Sequence, residues 1–269
     1  MSPSRRVAEA MALLLFALVV SFPLTWAILC SLRPEEQLFG AGSLGLGELV
    51  LDNYRALFES RRFWLPIKNS LIVAGSTTVA CVVIGTLAAY ALARLRFAGK
   101  RGFIAGVLAI SMFPQIAIVS PLYLVLRELG WIDSYPGLVV PYVTFALPLS
   151  IWLLLGYLKQ LPASLEEAAF VDGASRLRTL WEVVVPLALP GIATTAIVTF
   201  VFCWNEFLFA LSFTVGPERQ TVPVAVALFR GRYQIPWGQV LAAAVIATLP
   251  VALAVLAFQR RIAQSFGGR

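Results

Sequence analysis

Residues 159–188 read KQLPASLEEAAFVDGASRLRTLWEVVVPLA. This charged, helix-forming island is flanked by two segments, 134–158 and 183–205, that contain no Asp, Glu, Lys or Arg. A membrane-crossing helix needs roughly 20 mostly apolar residues, so each flank is long enough to span. Working outward, four more charge-free runs of this kind occur at 11–32, 69–93, 102–126 and 233–259. The pattern predicts an all-α integral membrane fold with six transmembrane helices, over about 11–32, 69–93, 102–126, 134–158, 183–212 and 237–259, in one domain covering 1–269. A membrane barrel would show short alternating segments instead. A membrane protein rarely keeps a large helix-forming island in a loop unless something docks on it, so the 159–186 loop is the first candidate for function.

Composition agrees. The chain has 269 residues, of which 59% are hydrophobic and 13% charged, with a mean hydropathy of +0.84. A soluble domain carries about twice that charged share. Arg and Lys also report orientation. If the N-terminus is cytoplasmic, 12 of the 21 basic residues lie inside, including Arg94, Arg96, Lys100 and Arg101 in one short loop. Both termini and the 159–182 loop are then expected in the cytoplasm. The formal charge of +7 reflects this bias and does not indicate nucleic-acid binding. Arg5-Arg6 followed by an apolar run resembles a signal peptide, but the run is too long and no A-x-A site follows, so a retained first span is expected.

The chain contains no His and three scattered Cys, Cys30, Cys81 and Cys203, all in apolar runs. They are expected to be small buried hydrophobes, and no metal site is expected. The long loop 33–68 carries Gly40, Gly42, Gly45 and Gly47 and then Leu51-Asp52-Asn53-Tyr54. A short amphipathic helix is predicted over Asn53–Glu59, capped by Asp52. In the second span Gly85, Ala88, Ala89 and Ala91 suit close helix packing. Pro114, Pro121, Pro136, Pro141 and Pro148 fall in spans three and four. They predict shaped helices with access to a cavity, since each proline frees a carbonyl that needs a partner. No internal repeat is apparent.

Within the island, Pro162 ends the preceding span. Ser164 followed by Glu167 has the spacing of a capping box, which predicts a helix over about Leu165–Asp172. Gly173 suits a left-handed C-cap. Ala168 and Ala169 give the helix a small, flat surface that a cleft could accept. A second helical stretch, about Ser175–Val185, leads into Pro186. Glu167 can serve as cap, as docking contact, or as both.

Glu167-Ala168-Ala169, Gly173 and Val183-x-Val185-Pro186 resemble the EAA loop of the permease subunits of bacterial ABC importers, with Val183 and Val185 in place of the usual Ile and Leu. More specifically the chain resembles the MalG-like permeases of carbohydrate importers. The supporting stretches are Met112-Phe113-Pro114, Pro121-Leu122-Tyr123, Leu129-Gly130-Trp131, Ala146-Leu147-Pro148, Pro186-Leu187-Ala188-Leu189-Pro190-Gly191 and Trp204-Asn205-Glu206-Phe207. The likeness runs from about Asp52 to Arg260 and is closest in feel to trehalose and maltose permeases. It implies a type I importer permease in the cytoplasmic (inner) membrane of a bacterium or archaeon. It also implies a coupling helix, carried by Glu166, Glu167, Ala168, Ala169, Asp172, Gly173 and Ala174, that docks on a cytoplasmic ATPase dimer. The other implied partners are a second, MalF-like permease and an extracytoplasmic sugar-binding lipoprotein. The chain has no G-x-x-x-x-G-K-[ST] phosphate loop, so it is not expected to be an enzyme. ATP and magnesium belong to the implied partner.

Trp204-Asn205-Glu206 interrupts the fifth apolar segment. A carboxylate within a membrane is costly and points to function by default. Asn205 can donate and accept hydrogen bonds as sugar hydroxyls require, and Trp204 could stack on a sugar face. A plain interhelical polar contact explains the same residues. Tyr123, Tyr142 and Thr144 are weaker candidates of the same kind. Two other classes stay open. An ion-coupled secondary transporter would need intramembrane carboxylates, and only Glu206 comes near. A membrane enzyme or scaffold has no His, no Cys cluster and no paired carboxylates to work with. Within the importer family, non-sugar solutes stay open as well.

Overall fold

The computed structural model describes residues 3–38, 48–229 and 235–267. The four loop glycines between 40 and 47 and the C-terminal Arg269 lie outside them. The described chain is helical. In order its helices are α1 (Pro3–Ser31), α2 (Asp52–Glu59), α3 (Trp64–Arg94), α4 (Lys100–Met112), α5 (Gln115–Glu128), α6 (Tyr135–Leu158), α7 (Ser164–Val171), α8 (Arg176–Thr179), α9 (Val185–Trp204), α10 (Leu208–Phe213), α11 (Val222–Ala227) and α12 (Trp237–Gly267). A 3₁₀ turn covers Glu35–Gln37, and a π-helical turn, Leu180–Val184, joins α8 to α9.

Among the described residues, five helical stretches are long and apolar enough to cross a membrane: Glu9–Ser31, Trp64–Arg94, Tyr135–Leu158, Arg176–Trp204 and Trp237–Leu256. The third expected span is broken. Its halves, α4 and α5, meet at a 93° bend where Phe113 and Pro114 are both extended. Pro114 has no N–H to continue the α4 ladder and biases Phe113 away from the helical region. By contrast α6 stays helical through Pro141 and Pro148, so proline alone does not decide where a span breaks. The fifth span ends earlier than the expected 212. It stops at Trp204, and a separate short helix, α10, resumes at Leu208.

The packing divides the chain into two compact units, Met1–Trp64 with Ala225–Pro250, and Leu65–Val224 with Val251–Arg269. In the first unit, the buried Asn53 amide donates to the carbonyls of Ser31 (2.9 Å) and Arg33 (2.8 Å), which fixes α2. Asp52 is not the cap of α2. The N-cap is Leu51, without a side-chain bond, and Asp52 sits in the first turn, 3.7 Å from Arg55. An acidic group there still favours the positive end of the helix. Between residues 9 and 31, the side chains of α1 are mostly exposed.

The second unit contains the island. Its core at that end joins Ala89 and Leu92 of α3, Ile151, Leu154 and Leu158 of α6, Leu180 and Val184 of the π turn, and Ala188 of α9. Small residues allow this close fit. Gly85 faces Leu154 and Ser150 of α6, and Gly191 of α9 lies directly against the Tyr157 ring. Ser150 and Thr199 share a buried hydroxyl hydrogen bond of 2.9 Å. Away from the island, Asn69 of α3 donates to the carbonyls of Glu218 and Gln220, both at 2.9 Å, and accepts from Tyr135 at 2.8 Å. Cys30, Cys81 and Cys203 are free and buried.

Candidate functional site

The island folds as a helix–turn–helix hung on that core. α7 covers Ser164–Val171, one residue earlier than expected at each end. The capping box does not form. Ala163 is the N-cap, in helical conformation and without a side-chain bond. Its carbonyl accepts from Glu166 and Glu167 N–H at 3.0 and 3.1 Å. Because Ala163 is already helical, Ser164 falls inside the first turn, where its hydroxyl cannot reach forward to the free N–H groups. The C-terminus is as the sequence suggests. Gly173 has φ +81°, its N–H bonds Phe170 O (3.1 Å), and Ala174 N–H bonds Ala169 O (2.9 Å). These two bonds make a Schellman motif.

Ser175 then caps α8 by accepting from Arg178 N–H. The expected second helix does not stop at Pro186. It runs on through the π turn into α9, with Pro186 in the first turn of α9, where a missing N–H is least costly. The wider π turn absorbs the irregularity. The island is therefore continuous with a membrane span, Arg176–Trp204.

Glu166 alone among the residues of α7 is buried, at 5% exposure. Its Oε1 accepts from Arg94 Nε at 2.6 Å and its Oε2 from the Tyr90 hydroxyl at 3.2 Å. Arg94 Nη2 also donates to Leu161 O at 2.9 Å. The carboxylate is buried and the guanidinium partly so, and removing either would leave the other without its charged partner. Glu167, Ala168, Asp172 and Gly173 are exposed, and Ala169 and Ala174 are half-buried. The exposed face also carries Leu165, Phe170, Val171 and Leu177. Val171, at 88% exposure, stands at the tip beside Gly173. Sequence reasoning missed these four apolar residues, although their presence in a charged island was the signal. It also missed Tyr90 and Arg94, which lie far from the island in sequence.

Of the residues singled out for a solute path, Tyr142 and Glu206 lie side by side, and the others do not gather around them. Trp204 is buried and stacks on Phe200 at 5.7 Å. Tyr142 is buried with its ring 6.5 Å from Phe209, and Glu206 lies beside its phenol. Asn205 is exposed and donates to Val201 O at 2.8 Å. Thr144 is exposed with its hydroxyl on Val140 O, and Tyr123 is half-buried. Glu206 serves the backbone: its two oxygens accept from Phe209 N–H (2.8 Å) and Ala210 N–H (3.2 Å) at the start of α10. Glu206→Gln keeps one acceptor, so a thermal midpoint lowered by the equivalent of about 1 kcal/mol, with uptake retained, is expected. Abolished uptake with an unchanged midpoint would instead mark Glu206 as an ion-coupling carboxylate. Among the described residues no group of His, Cys, Asp and Glu is arranged to hold a metal ion.

Residues 81–268, which include the whole island, match the family of binding-protein-dependent transport system inner membrane components. The chain belongs to this family. Among similar proteins is the trehalose/maltose transport system permease protein MalG of Thermococcus litoralis, 41% identical over 96% of this chain and 94% of that one. Another is the trehalose transport system permease protein SugB of Mycobacterium tuberculosis, 43% identical over 89% and 88%. In fold the chain is similar to one from a bacterial ABC transporter that imports the acidic polysaccharide alginate, with a TM-score of 0.80, 24% identity, and coverage of 97% and 98%. A structure of a bacterial alginate ABC transporter with its alginate-pentasaccharide-bound periplasmic protein gives a TM-score of 0.68 at 17% identity. This inner membrane transport component thus has the type I ABC importer permease fold.

Proposed function

We propose that this chain is the permease subunit of an ABC sugar importer, and that α7 is the coupling helix through which a cytoplasmic ATPase drives it. The observation that carries this reading is the exposed face of α7. A polar loop presents Leu165, Phe170 and Val171 to solvent around Glu167, Ala168, Asp172 and Gly173, on a helix stopped by a stiff Schellman turn. Apolar side chains left exposed on a polar loop suit an interaction site. The docking surface comprises Glu167, Ala168, Ala169, Asp172, Gly173 and Ala174 with those apolar neighbours. Glu166 is left out, because its carboxylate is already occupied within the chain.

In this reading both termini and α7 face the cytoplasm. ATP and magnesium are held by the partner ATPase dimer, whose closure displaces α7. A second, MalF-like permease completes the membrane pathway, and an extracytoplasmic binding protein delivers the sugar. A disaccharide such as trehalose or maltose, or an oligosaccharide, is the expected cargo, given the names of the relatives. Asn205 is the path residue best placed to meet it, being exposed with its amide oxygen uncommitted to its own helix. Asn205→Ala is expected to raise the KM for uptake several-fold, about the worth of one or two hydrogen bonds, with assembly intact. Unchanged uptake kinetics would assign Asn205 to packing.

The test of the whole reading is a pulldown of the tagged chain in mild detergent, with mass spectrometry of what accompanies it. An ATP-binding subunit and a second permease are expected. Recovery of the chain alone, transporting under an ion gradient, would overturn the reading.

A further inference from the structure

α7 has no buried apolar side chain; the single residue it buries is Glu166. Its apolar contacts are partial, with Leu165 and Phe170 at 44% and 42% exposure and Ala169 half-buried. Its one fully sheltered contact is a set of directional, charge-assisted bonds to the C-terminal end of α3. Arg94 Nε meets Glu166 Oε1 at 2.6 Å, the Tyr90 hydroxyl meets Oε2 at 3.2 Å, and Arg94 Nη2 meets Leu161 O at 2.9 Å. Tyr90 and Arg94 are four residues apart and so lie on one face of α3. Arg94 thereby grips both α7 and the α6–α7 connection. The group is sheltered, with the side chains of Arg94 and Glu166 at 17% and 7% exposure. Charge-assisted bonds are short and geometrically demanding, so they resist sliding as a hydrophobic contact does not.

A short helix joined to its body only by its two chain ends can pivot about the line between them. A third attachment off that line removes the pivot. We propose that the Arg94–Glu166 pair, closed by Tyr90, is the third attachment of the coupling helix, a joint that passes the displacement of α7 into α3 as well as into α6 and α9. The inference rests on the docking reading above. It adds two positioning residues, Arg94 and Tyr90, and changes the part assigned to Glu166 from contact with the ATPase to transmission. An ordinary stabilising ion pair would have the same geometry, so the test must read coupling and not only stability.

The experiment uses the complete transporter in proteoliposomes, with labelled trehalose or maltose as cargo. It measures uptake, ATP hydrolysis and recovery of the ATPase with the permease. Glu166→Gln and Arg94→Gln are expected to retain the ATPase to within about twofold and to continue hydrolysing ATP. The ATP consumed per sugar carried should rise about tenfold, the size of effect that loss of one charge-assisted bond allows. Tyr90→Phe should raise it about twofold. Exchanging the charges, Arg94→Glu with Glu166→Arg, should recover a measurable part of the coupling. An unchanged ratio in the single variants would overturn the joint. So would a parallel fall of uptake and hydrolysis that the exchange does not relieve, since that describes a structural pair alone. If a Gln variant does not fold, Arg94→Lys, which keeps the charge and loses the second bond, decides in the same way. Should the unaltered chain neither bind an ATPase nor carry these sugars with ATP, the docking reading itself fails, which is a distinct result.

Discussion

Gly173→Leu is expected to lower ATP-driven uptake at least tenfold while the protein still inserts in the membrane at normal levels. Space is not the reason, since a Cβ at Gly173 would meet no atom within 4 Å. The reason is the backbone. Gly173 sits at φ +81°, a conformation that costs an L-residue with a Cβ roughly 1–2 kcal/mol. The chain can escape that strain by unwinding the last turn of α7, which breaks the bonds from Gly173 N–H to Phe170 O and from Ala174 N–H to Ala169 O. Val171 and Asp172 then leave the surface on which the ATPase is proposed to sit. Gly173→Asn should be milder and keep more than about a third of uptake, because Asn tolerates the left-handed region. The check is labelled-sugar uptake alongside recovery of the ATPase with each variant. Equal uptake by the Leu and Asn variants and the unaltered protein would remove the turn from the mechanism.

Gly191→Leu should act on folding. A Cβ at Gly191 would lie 2.3 Å from Tyr157 Cγ and 2.6 Å from both Cδ atoms. This is the root of the ring, not a flexible tip, so α6 and α9 must move apart. Overpacking of this sort costs about 1–3 kcal/mol, occasionally more, and the contact belongs to the core on which the coupling loop hangs. Most of the folded protein is expected to be lost, read as a collapsed monodisperse peak in detergent and a lowered thermal midpoint. Gly191→Ala combined with Tyr157→Ala should recover most of it, since the added methyl then occupies space vacated by the ring. Failure of that pair to recover would place the defect elsewhere than in this contact.

The fold was legible because its largest signals are one-dimensional. Charge-free runs of spanning length and short basic loops need no knowledge of what touches what. The left-handed turn at Gly173 was legible for the same reason, since a glycine after an apolar helix end is a local signal. Other features depended on three-dimensional context. Ser164 has the spacing of a capping box, but the N-cap is Ala163, already in helical conformation, and Ser164 lies in the first turn. Pro114 breaks a span while Pro141 and Pro148 do not, because proline frees a carbonyl and the surroundings decide whether the helix tolerates it. Glu166 and Glu167 are adjacent acids on one helix, yet one is buried and the other exposed. What separates them is Arg94, more than 70 residues earlier. Glu206 reads from sequence as either a transport carboxylate or a plain polar contact, and only the structure adds that its oxygens accept from the backbone of α10.

Docking of an ATPase on α7 can be read by placing a photo-activatable phenylalanine analogue at Val171, the exposed tip of the helix, and irradiating intact cells. A cross-linked adduct containing a cytoplasmic ATP-binding subunit is expected, strongly reduced when Gly173→Leu is added. Adducts with lipid alone, or with a protein that binds no ATP, would contradict it.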